Sequence, residues 1–201
     1  PNYCWAMYVQ HGKREFKLNA ATRIFHSVLE SDFYNTLRTE QQLGYIVHSG
    51  LKFDNKALGS LFLIQSSDYD PLDIQKRFYT WSDKAIKILE DLSQEKFESV
   101  KSSIVKVLSE EDKTIVEKFE TLWFEAVLMK GIFDYKKHII KELKSLTKED
   151  MIKIYKKSFS SETTKSLTVL FPKKIKETFS LDSKVTLIKD PLQYKKTAES
   201  Y

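Results

Sequence analysis

The change in hydrophobic period along the chain constrains the fold more than any other feature. Apart from one early helical stretch, the first third of the chain places its apolar residues in three short β-rich segments, 3–10, 45–53 and 58–66. Beyond them, apolar residues recur every three or four positions, which is the period of helices. A last β-rich segment covers residues 165–171. This order predicts an α+β fold with a largely antiparallel sheet and helices packed on one side.

Local signals mark the early elements. Residues 3–10 are apolar on both faces in places, which predicts a central or covered strand. The period changes at Phe16, where a helix of roughly 15 residues is expected, followed by a short helical piece around 33–37. The Asp-Asn-Lys sequence at 54–56 is typical of a turn, so the second and third strands are expected to form an antiparallel hairpin.

Caps and apolar stripes predict the later helices. Asp70-Pro71, Ser93 and Thr147 are typical helix starts, and Lys130-Gly131 is a typical helix end. The stripes expected to face the core are Ile74, Phe78, Trp81, Ala85, Ile88 and Leu92, then Phe97, Val100, Ile104 and Val107, then Ile115, Phe119, Leu122, Ala126 and Met129. Trp123 and Phe124 are also assigned to the core.

The chain is predicted to form a single domain over residues 1–201, because no Pro-, Gly- or Ser-rich linker divides it. The polar tail, residues 172–201, is expected to pack on the surface. A hydrophobic content of 41% with only five Gly and four Pro excludes disorder of the chain as a whole. No run of 18 apolar residues is present, so no membrane span is expected.

Charge and cysteine content restrict partners and compartment. The 33 basic residues outnumber the 28 acidic ones by five, but they are dispersed, and most are Lys. Nucleic-acid surfaces favour Arg for its planar fork of donors, so no nucleic-acid partner is expected. Cys4 is the single cysteine and cannot form an internal disulfide. It fits a reducing compartment, which makes the cytoplasm the expected location.

The sequence contains no complete catalytic motif. The four histidines are at least 15 residues apart, so the two-histidine helix motifs of zinc peptidases are absent. His26 and Glu30 stand four apart on the first helix, but without a third ligand they are interpreted as a polar pair on a helix face. Cys4 lies in an apolar strand and is interpreted as a core filler rather than a nucleophile.

The segment from Asn35 to Tyr45 is unusual for a surface connection. It places Arg38 seven residues before Tyr45 and puts Gly44 directly before the tyrosine. An Arg fork, a Tyr hydroxyl and a glycine that permits close backbone approach suit recognition of a polar ligand. The structural alternative pairs Arg38 with Glu40 or a helix end and makes Tyr45 the first core residue of a strand. The residues alone leave both readings open.

A longer string around this segment resembles a known family. Residues 33–47 read F-Y-N-T-L-R-T-E-Q-Q-L-G-Y-I-V, and the insulysin–pitrilysin (M16, inverted-zincin) metallopeptidases carry F-N-x-L-R-T-x-x-Q-L-G-Y-x-V, or nearly so, in their C-terminal half. The I-Q-S of residues 64–66 and the L-T-K-E-D of residues 146–150 are also similar to that family. The resemblance covers most of residues 3–171 in order and spacing.

The resemblance implies a fold, a position and a role. Family members are built from four homologous α+β domains in two halves that close around a peptide, and this chain resembles the fourth. By the resemblance, Arg38 would bind a substrate backbone carbonyl and Tyr45 would donate to the developing oxyanion beside the zinc. Arg38, Gly44 and Tyr45 would form the substrate-binding set. The implied partners are peptide substrates and the zinc-bearing N-terminal half.

The zinc motif of the family is missing. No H-x-x-E-H occurs in the 201 residues, so zinc, the activated water and the general base would come from the other half. The chain is expected to hold no metal and to be catalytically silent alone. Pro1 in place of an initiating Met favours a fragment of a longer polypeptide. The alternative is a non-catalytic relative with a structural or peptide-binding role, which would need neither Arg38 nor Tyr45.

Overall fold

The computed structural model describes residues 2–54, 56–159, 164–171, 186–188 and 190–197. Its helices and strands follow in the order β1 (Tyr3–Lys13), α1 (Phe16–Tyr34), a π-helical turn (Asn35–Glu40), β2 (Ile46–Asp54), β3 (Ala57–Ser66), α2 (Pro71–Glu90), α3 (Gln94–Ser109), α4 (Ile115–Trp123), a second π-helical turn (Phe124–Leu128), α5 (Tyr135–Ser145), α6 (Lys148–Phe159), β4 (Lys165–Phe171) and α7 (Pro191–Thr197).

The described strands form one antiparallel sheet with the order β2-β3-β1-β4. β1 is therefore central, as its apolar sequence predicts. Alternate β1 residues, Trp5, Met7 and Val9, are buried against the helices. The residues between them, such as Tyr8, lie on the opposite face and are only partly buried. Helices on one side of an antiparallel sheet confirm the predicted α+β class.

The core lies between the sheet and helices α1, α2, α3, α5 and α6. Aromatic side chains dominate it, and Phe62 of β3 contacts Phe33, Phe78 and Trp81 at ring-centroid distances of 5.6, 4.8 and 6.3 Å. The Trp81 indole also donates a 2.8 Å hydrogen bond to Asp32, which joins α2 to the end of α1. Because α1 is fixed in this way, the segment that follows it starts from a rigid base.

The predicted helix starts are confirmed. The Asp70 carboxylate accepts from the Leu72 amide and Pro71 is the first helical residue, while the Ser93 hydroxyl accepts from the Lys96 amide. Thr147 caps α6 through the Asp150 amide. These side chains satisfy backbone donors that have no partner inside their helices.

Several core assignments are wrong. Ile115, Phe119 and Leu122 are exposed rather than buried, and so are Trp123, Ala126 and Val107. The physical reason for α4 is that the helix contacts the domain through polar groups: Thr121, the one α4 residue that is partly buried, donates to Asp112, and Glu125 in the following turn is buried. Helix α5 was not anticipated, although its buried residues Tyr135, Ile139 and Leu143 recur every four positions.

The tail is described only in part. Residues 172–185, 189 and 198–201 lie outside the described residues, as does Asn55 of the predicted hairpin turn. Within the tail, Pro191–Thr197 forms α7, whose residues 191–196 are exposed. Packing of the tail on the surface stays a prediction. In the described part of the chain no helix is both long and apolar enough to cross a membrane.

Candidate functional site

The segment between α1 and β2 is held by two buried leucines. The π-helical turn Asn35–Glu40 continues α1 without a break, since the Asn35 amide still bonds back into that helix. Leu37 within the turn and Leu43 beyond it are both fully buried. π-turns are rare and often occur at functional sites. Here the turn leaves Arg38, next to Leu37, only partly buried.

A tight reversal follows the π-turn. Gln42 adopts a left-handed conformation with φ of 52°, and the Leu43 amide donates to the Leu37 carbonyl at 3.0 Å. This pattern resembles a Schellman helix end, with the closing bond one residue longer after the π-turn, although glycine is the usual residue at the left-handed position. A non-glycine residue there costs about 1–2 kcal/mol, so the surrounding contacts must hold it.

Arg77 of α2 supplies one of those contacts. Its Nη1 donates to the Gln41 side-chain oxygen at 3.2 Å, and its Nε donates to Asp73 at 3.1 Å. The guanidinium also lies 4.8 Å from the centre of the Tyr69 ring. Arg77 therefore ties the reversal between Arg38 and Tyr45 to α2. Sequence analysis did not find it, because Gln41, the partner in the reversal, lies 36 residues away in the chain.

Gly44 has a structural reason to be glycine. A Cβ at this position would lie 1.9 Å from the Gln65 carbonyl oxygen of β3 and 3.0 Å from the Ser66 Cα. The backbone before β2 thus passes directly over the end of β3, at the point where Ile46 pairs with Gln65. This close approach fixes the position of Tyr45, the next residue.

Arg38 and Tyr45 meet at one open depression on the surface. The residues that line it are Tyr34, Arg38, Thr39, Gln42, Gly44, Tyr45, Ser67 and Asp68. Tyr45 is 87% exposed. Within the described part of the chain its hydroxyl has no hydrogen-bond partner, and Arg38 likewise makes no hydrogen bond or ion pair. The alternative that makes Tyr45 a core residue is therefore wrong, and no pairing of Arg38 with Glu40 is present.

Five lining residues were not singled out from the sequence: Tyr34, Thr39, Gln42, Ser67 and Asp68. Tyr34 precedes Arg38 by four residues, a spacing that places both on one helix side and could have indicated it. Ser67 and Asp68 follow β3 and reach the depression only because β3 pairs with β2. Of the lining residues, Asp68 alone carries a negative charge, and its carboxylate accepts from Ser67.

A partly buried histidine pair lies apart from this depression. His11 of β1 and His26 of α1 each place Nε2 at 2.6 Å from the Ser60 hydroxyl of β3. Burial, with a smaller contribution from His26, lowers the pKa of His11 to about 3. Burial, with a smaller contribution from His48, lowers the pKa of His26 to about 4. Both imidazoles are therefore neutral at physiological pH. Through the Ser60 hydroxyl they join β1 and β3 to α1.

The described residues do not provide a zinc site. No group of three or more His, Cys, Asp or Glu side chains suited to a metal ion occurs among them. His26 is committed to Ser60, while Glu30 is exposed. His48 is exposed on β2 and does not line the depression. Cys4 is partly buried, and burial raises the pKa of its thiol, which disfavours the nucleophilic thiolate.

Arg38 and Tyr45 thus present polar groups without a hydrogen-bond partner in the described chain at one depression of an α+β domain. Comparisons with known proteins identify the family. Residues 24–123 match the model described as "PQQ synthase PqqF-like, C-terminal lobe domain 4". The chain is 30% identical over 190 residues to a nardilysin-like protein of Arabidopsis thaliana, covering 92% of this chain and 19% of that protein.

Further relatives agree. Human insulin-degrading enzyme is 31% identical over 150 residues, which covers 75% of this chain and 15% of that enzyme. The crystal structure of pitrilysin superposes with a TM-score of 0.75 at 20% identity, over 94% of this chain and 20% of that chain. The chain belongs to the insulysin–pitrilysin (M16) family and is homologous to its C-terminal part. It spans about a fifth of the length of these relatives.

Proposed function

We propose that this domain closes the active site of a zinc metalloendopeptidase, where it helps to enclose peptide substrate and stabilises the transition state. One observation carries the proposal: Arg38 and Tyr45 line the same depression, and neither side chain is bonded to the rest of the described chain. Hydrogen bonding within the described chain accounts neither for the exposed Tyr45 hydroxyl nor for the buried Arg38 Nε, which has no partner. They are, however, suited to a ligand that carries carbonyl oxygens.

Each residue has a role that follows from its chemistry. The Arg38 guanidinium is a fixed fork of donors that stays charged at all physiological pH values, so it would bind a backbone carbonyl of the peptide. The Tyr45 hydroxyl would donate to the scissile carbonyl oxygen as negative charge develops on it. Removing one donor of this kind costs a rate factor of about 10²–10³. Gly44 would act by fixing the backbone that presents Tyr45.

The remaining chemistry would come from outside this chain. A zinc ion, held by the N-terminal half of the parent enzyme, would polarise the carbonyl and activate water. Because the described residues do not fit a zinc site, the isolated chain is proposed to be catalytically silent. Peptide turnover by the purified chain, inhibited by a zinc chelator, would contradict this.

The test is a substitution series in the parent enzyme with a quenched peptide of ~20 residues as substrate, a length chosen to span both halves of a closed chamber. Tyr45→Phe removes one hydroxyl and should lower kcat by about 10²–10³ with little change in KM. Arg38→Gln should raise KM as well, because it removes a contact with bound peptide. Tyr79→Phe, an equivalent change on α2 outside the depression, is the matched control.

A second experiment separates the proposed role from the alternative of a non-catalytic relative. The chain is mixed with its zinc-bearing half, and binding and cleavage are measured together. Cleavage that appears only on mixing, and is lost in Tyr45→Phe, supports the closing role. Binding without cleavage would indicate a structural or peptide-binding relative, and Arg38 and Tyr45 would lose their assigned roles.

A further inference from the structure

The depression that holds Arg38 and Tyr45 also carries an acidic side chain. Asp68, in the turn that follows β3, is exposed and lines the depression together with Arg38. The two side chains have opposite charges, yet they form no ion pair with each other or with any other residue in the described part of the chain. The depression therefore presents a separate cation and a separate anion to a ligand that enters it.

The Asp68 carboxylate is not what holds its own turn together. The hydroxyl of buried Ser66 accepts from the Asp68 amide at 3.2 Å and from the Tyr69 amide at 3.0 Å. The start of α2 is capped by Asp70. Among the described residues, the carboxylate accepts a hydrogen bond only from its exposed neighbour Ser67, at 2.6 Å. Ser66 and Asp70 account for the local structure, so the Asp68 charge remains for a ligand.

The backbone around Asp68 is fixed relative to Arg38. The ring of the next residue, Tyr69, has its centre 4.8 Å from the Arg77 guanidinium. The same guanidinium donates to the Gln41 side-chain oxygen at 3.2 Å, and Gln41 follows Arg38 by three residues. One side chain of α2 therefore contacts both segments that line the depression. A charge on a fixed backbone loses less conformational freedom when a ligand binds, which suits a residue that determines specificity.

We propose that Asp68 makes the depression selective for peptides that carry a Lys or Arg side chain close to the scissile bond. The inference rests on the proposed function, in which Arg38 binds a backbone carbonyl of the same peptide. A carboxylate accepts hydrogen bonds from ammonium and guanidinium groups, and these bonds are stronger than those between neutral groups. An acidic side chain at the same place is repelled. A pair of opposite charges at an exposed site changes a binding constant by up to about five-fold.

Matched peptides measure this selectivity in the parent enzyme. Quenched peptides with blocked termini carry Lys, Gln or Glu at a single position, which is moved along the residues that flank the scissile bond. We expect one position at which kcat/KM for the Lys peptide exceeds that for the Gln peptide about five-fold. Asp68→Asn should make the two values equal there, and Asp68→Lys should make the Glu peptide the preferred one. The absence of a Lys preference at every position, or its persistence in Asp68→Asn, would overturn the proposal.

Glu40→Gln is the matched control for the charge. Glu40 is exposed in the same segment as Arg38, but it does not line the depression. The Lys preference of this variant should equal that of the unmodified enzyme. An equal loss of preference in Glu40→Gln and Asp68→Asn would mean that the general field of the domain selects the peptide, and Asp68 would lose its assigned role.

The selectivity and the proposed function can fail separately. Tyr45→Phe should lower kcat for the Lys, Gln and Glu peptides by the same factor, because its hydroxyl acts on the scissile carbonyl and not on the varied side chain. An unchanged kcat in Tyr45→Phe would contradict the proposed function. The Lys preference is then read from the binding of the same peptides, labelled for fluorescence anisotropy, to the parent protein. Equal affinities for the Lys and Gln peptides in that measurement would refute the role of Asp68 as well.

Discussion

Replacing Gly44 by alanine tests whether the close approach of backbones before β2 holds the site together. The new Cβ would lie 1.9 Å from the Gln65 carbonyl oxygen, whereas carbon–oxygen contacts are normally about 3.3 Å or longer. The chain must therefore move by roughly 1.4 Å, and the atom it meets is backbone that cannot rotate away. Overpacking of this kind costs about 1–3 kcal/mol, and we expect a value near the upper end.

Two other glycines provide the comparison. Gly59→Ala would meet the Tyr8 ring at 2.3 Å and the Val9 carbonyl at 2.4 Å, so it should destabilise the chain by a similar amount. Gly50→Ala would meet only the His48 ring at 3.3 Å, and that side chain can shift. The free energy of unfolding of the three variants is measured by urea denaturation. Kinetic assays of the parent enzyme then show whether Gly44→Ala lowers kcat more than Gly59→Ala at a temperature where both are folded.

The result has two distinct consequences. A loss of kcat specific to Gly44→Ala would mean that the displacement reaches Tyr45, as the backbone geometry requires. If Gly44→Ala is as stable as Gly50→Ala, the β2–β3 contact is looser than the 1.9 Å separation implies. The argument that this contact positions Tyr45 would then fail.

Three further predictions concern stability and positioning. The free energy of unfolding should fall as the pH drops from about 6.5 towards 4, because the histidines take up protons in the unfolded chain while His11 and His26 stay neutral in the fold. For two protons the slope should approach ~2.7 kcal/mol per pH unit. His26→Gln should about halve that slope in thermal melts across this pH range. Arg77→Lys keeps the charge but loses the guanidinium fork that reaches the segment between Arg38 and Tyr45. The kcat of the parent enzyme should therefore fall about five-fold, equivalent to ~1 kcal/mol, while its stability in urea stays unchanged. An unchanged kcat would show that Arg77 is not a positioning residue. Trp81→Phe removes the donor to Asp32 and should cost about 1–1.5 kcal/mol in urea denaturation, and a cost near zero would mean that water replaces the bond.

The strands were predictable from the sequence because each has a local signal. The three early β-rich segments and the late one at 165–171 are all strands, and Asp70, Ser93 and Thr147 are all caps. Caps and alternation act within a few residues of the chain, so sequence patterns report them directly. The pairing order of the strands needed the structure, since it depends on contacts distant in the chain.

The orientation of α4 was not predictable from the sequence, because no local signal determines which side of the helix faces the domain. Its apolar stripe fits a core helix, and a stripe indicates only that a face is to be covered, not by what. The orientation depends on Asp112 and Tyr135, whose bonds to Thr121 and Glu125 lie outside the stripe. The error shows that an apolar stripe can predict a helix without indicating which side of that helix faces the core of its own domain.

The segment from Arg38 to Tyr45 combines folding and chemistry, and the structure separates the two. Leu37 and Leu43 are explained by burial, and Gly44 by the Gln65 carbonyl beneath it. None of these three residues needs a substrate to account for it, so their match to a family string would be equally expected in a purely structural relative. Arg38 and Tyr45 differ, because no hydrogen bond or ion pair within the described chain accounts for either. The case for a catalytic role therefore depends on these two side chains alone, and their substitution, rather than the similarity of the whole string, decides it.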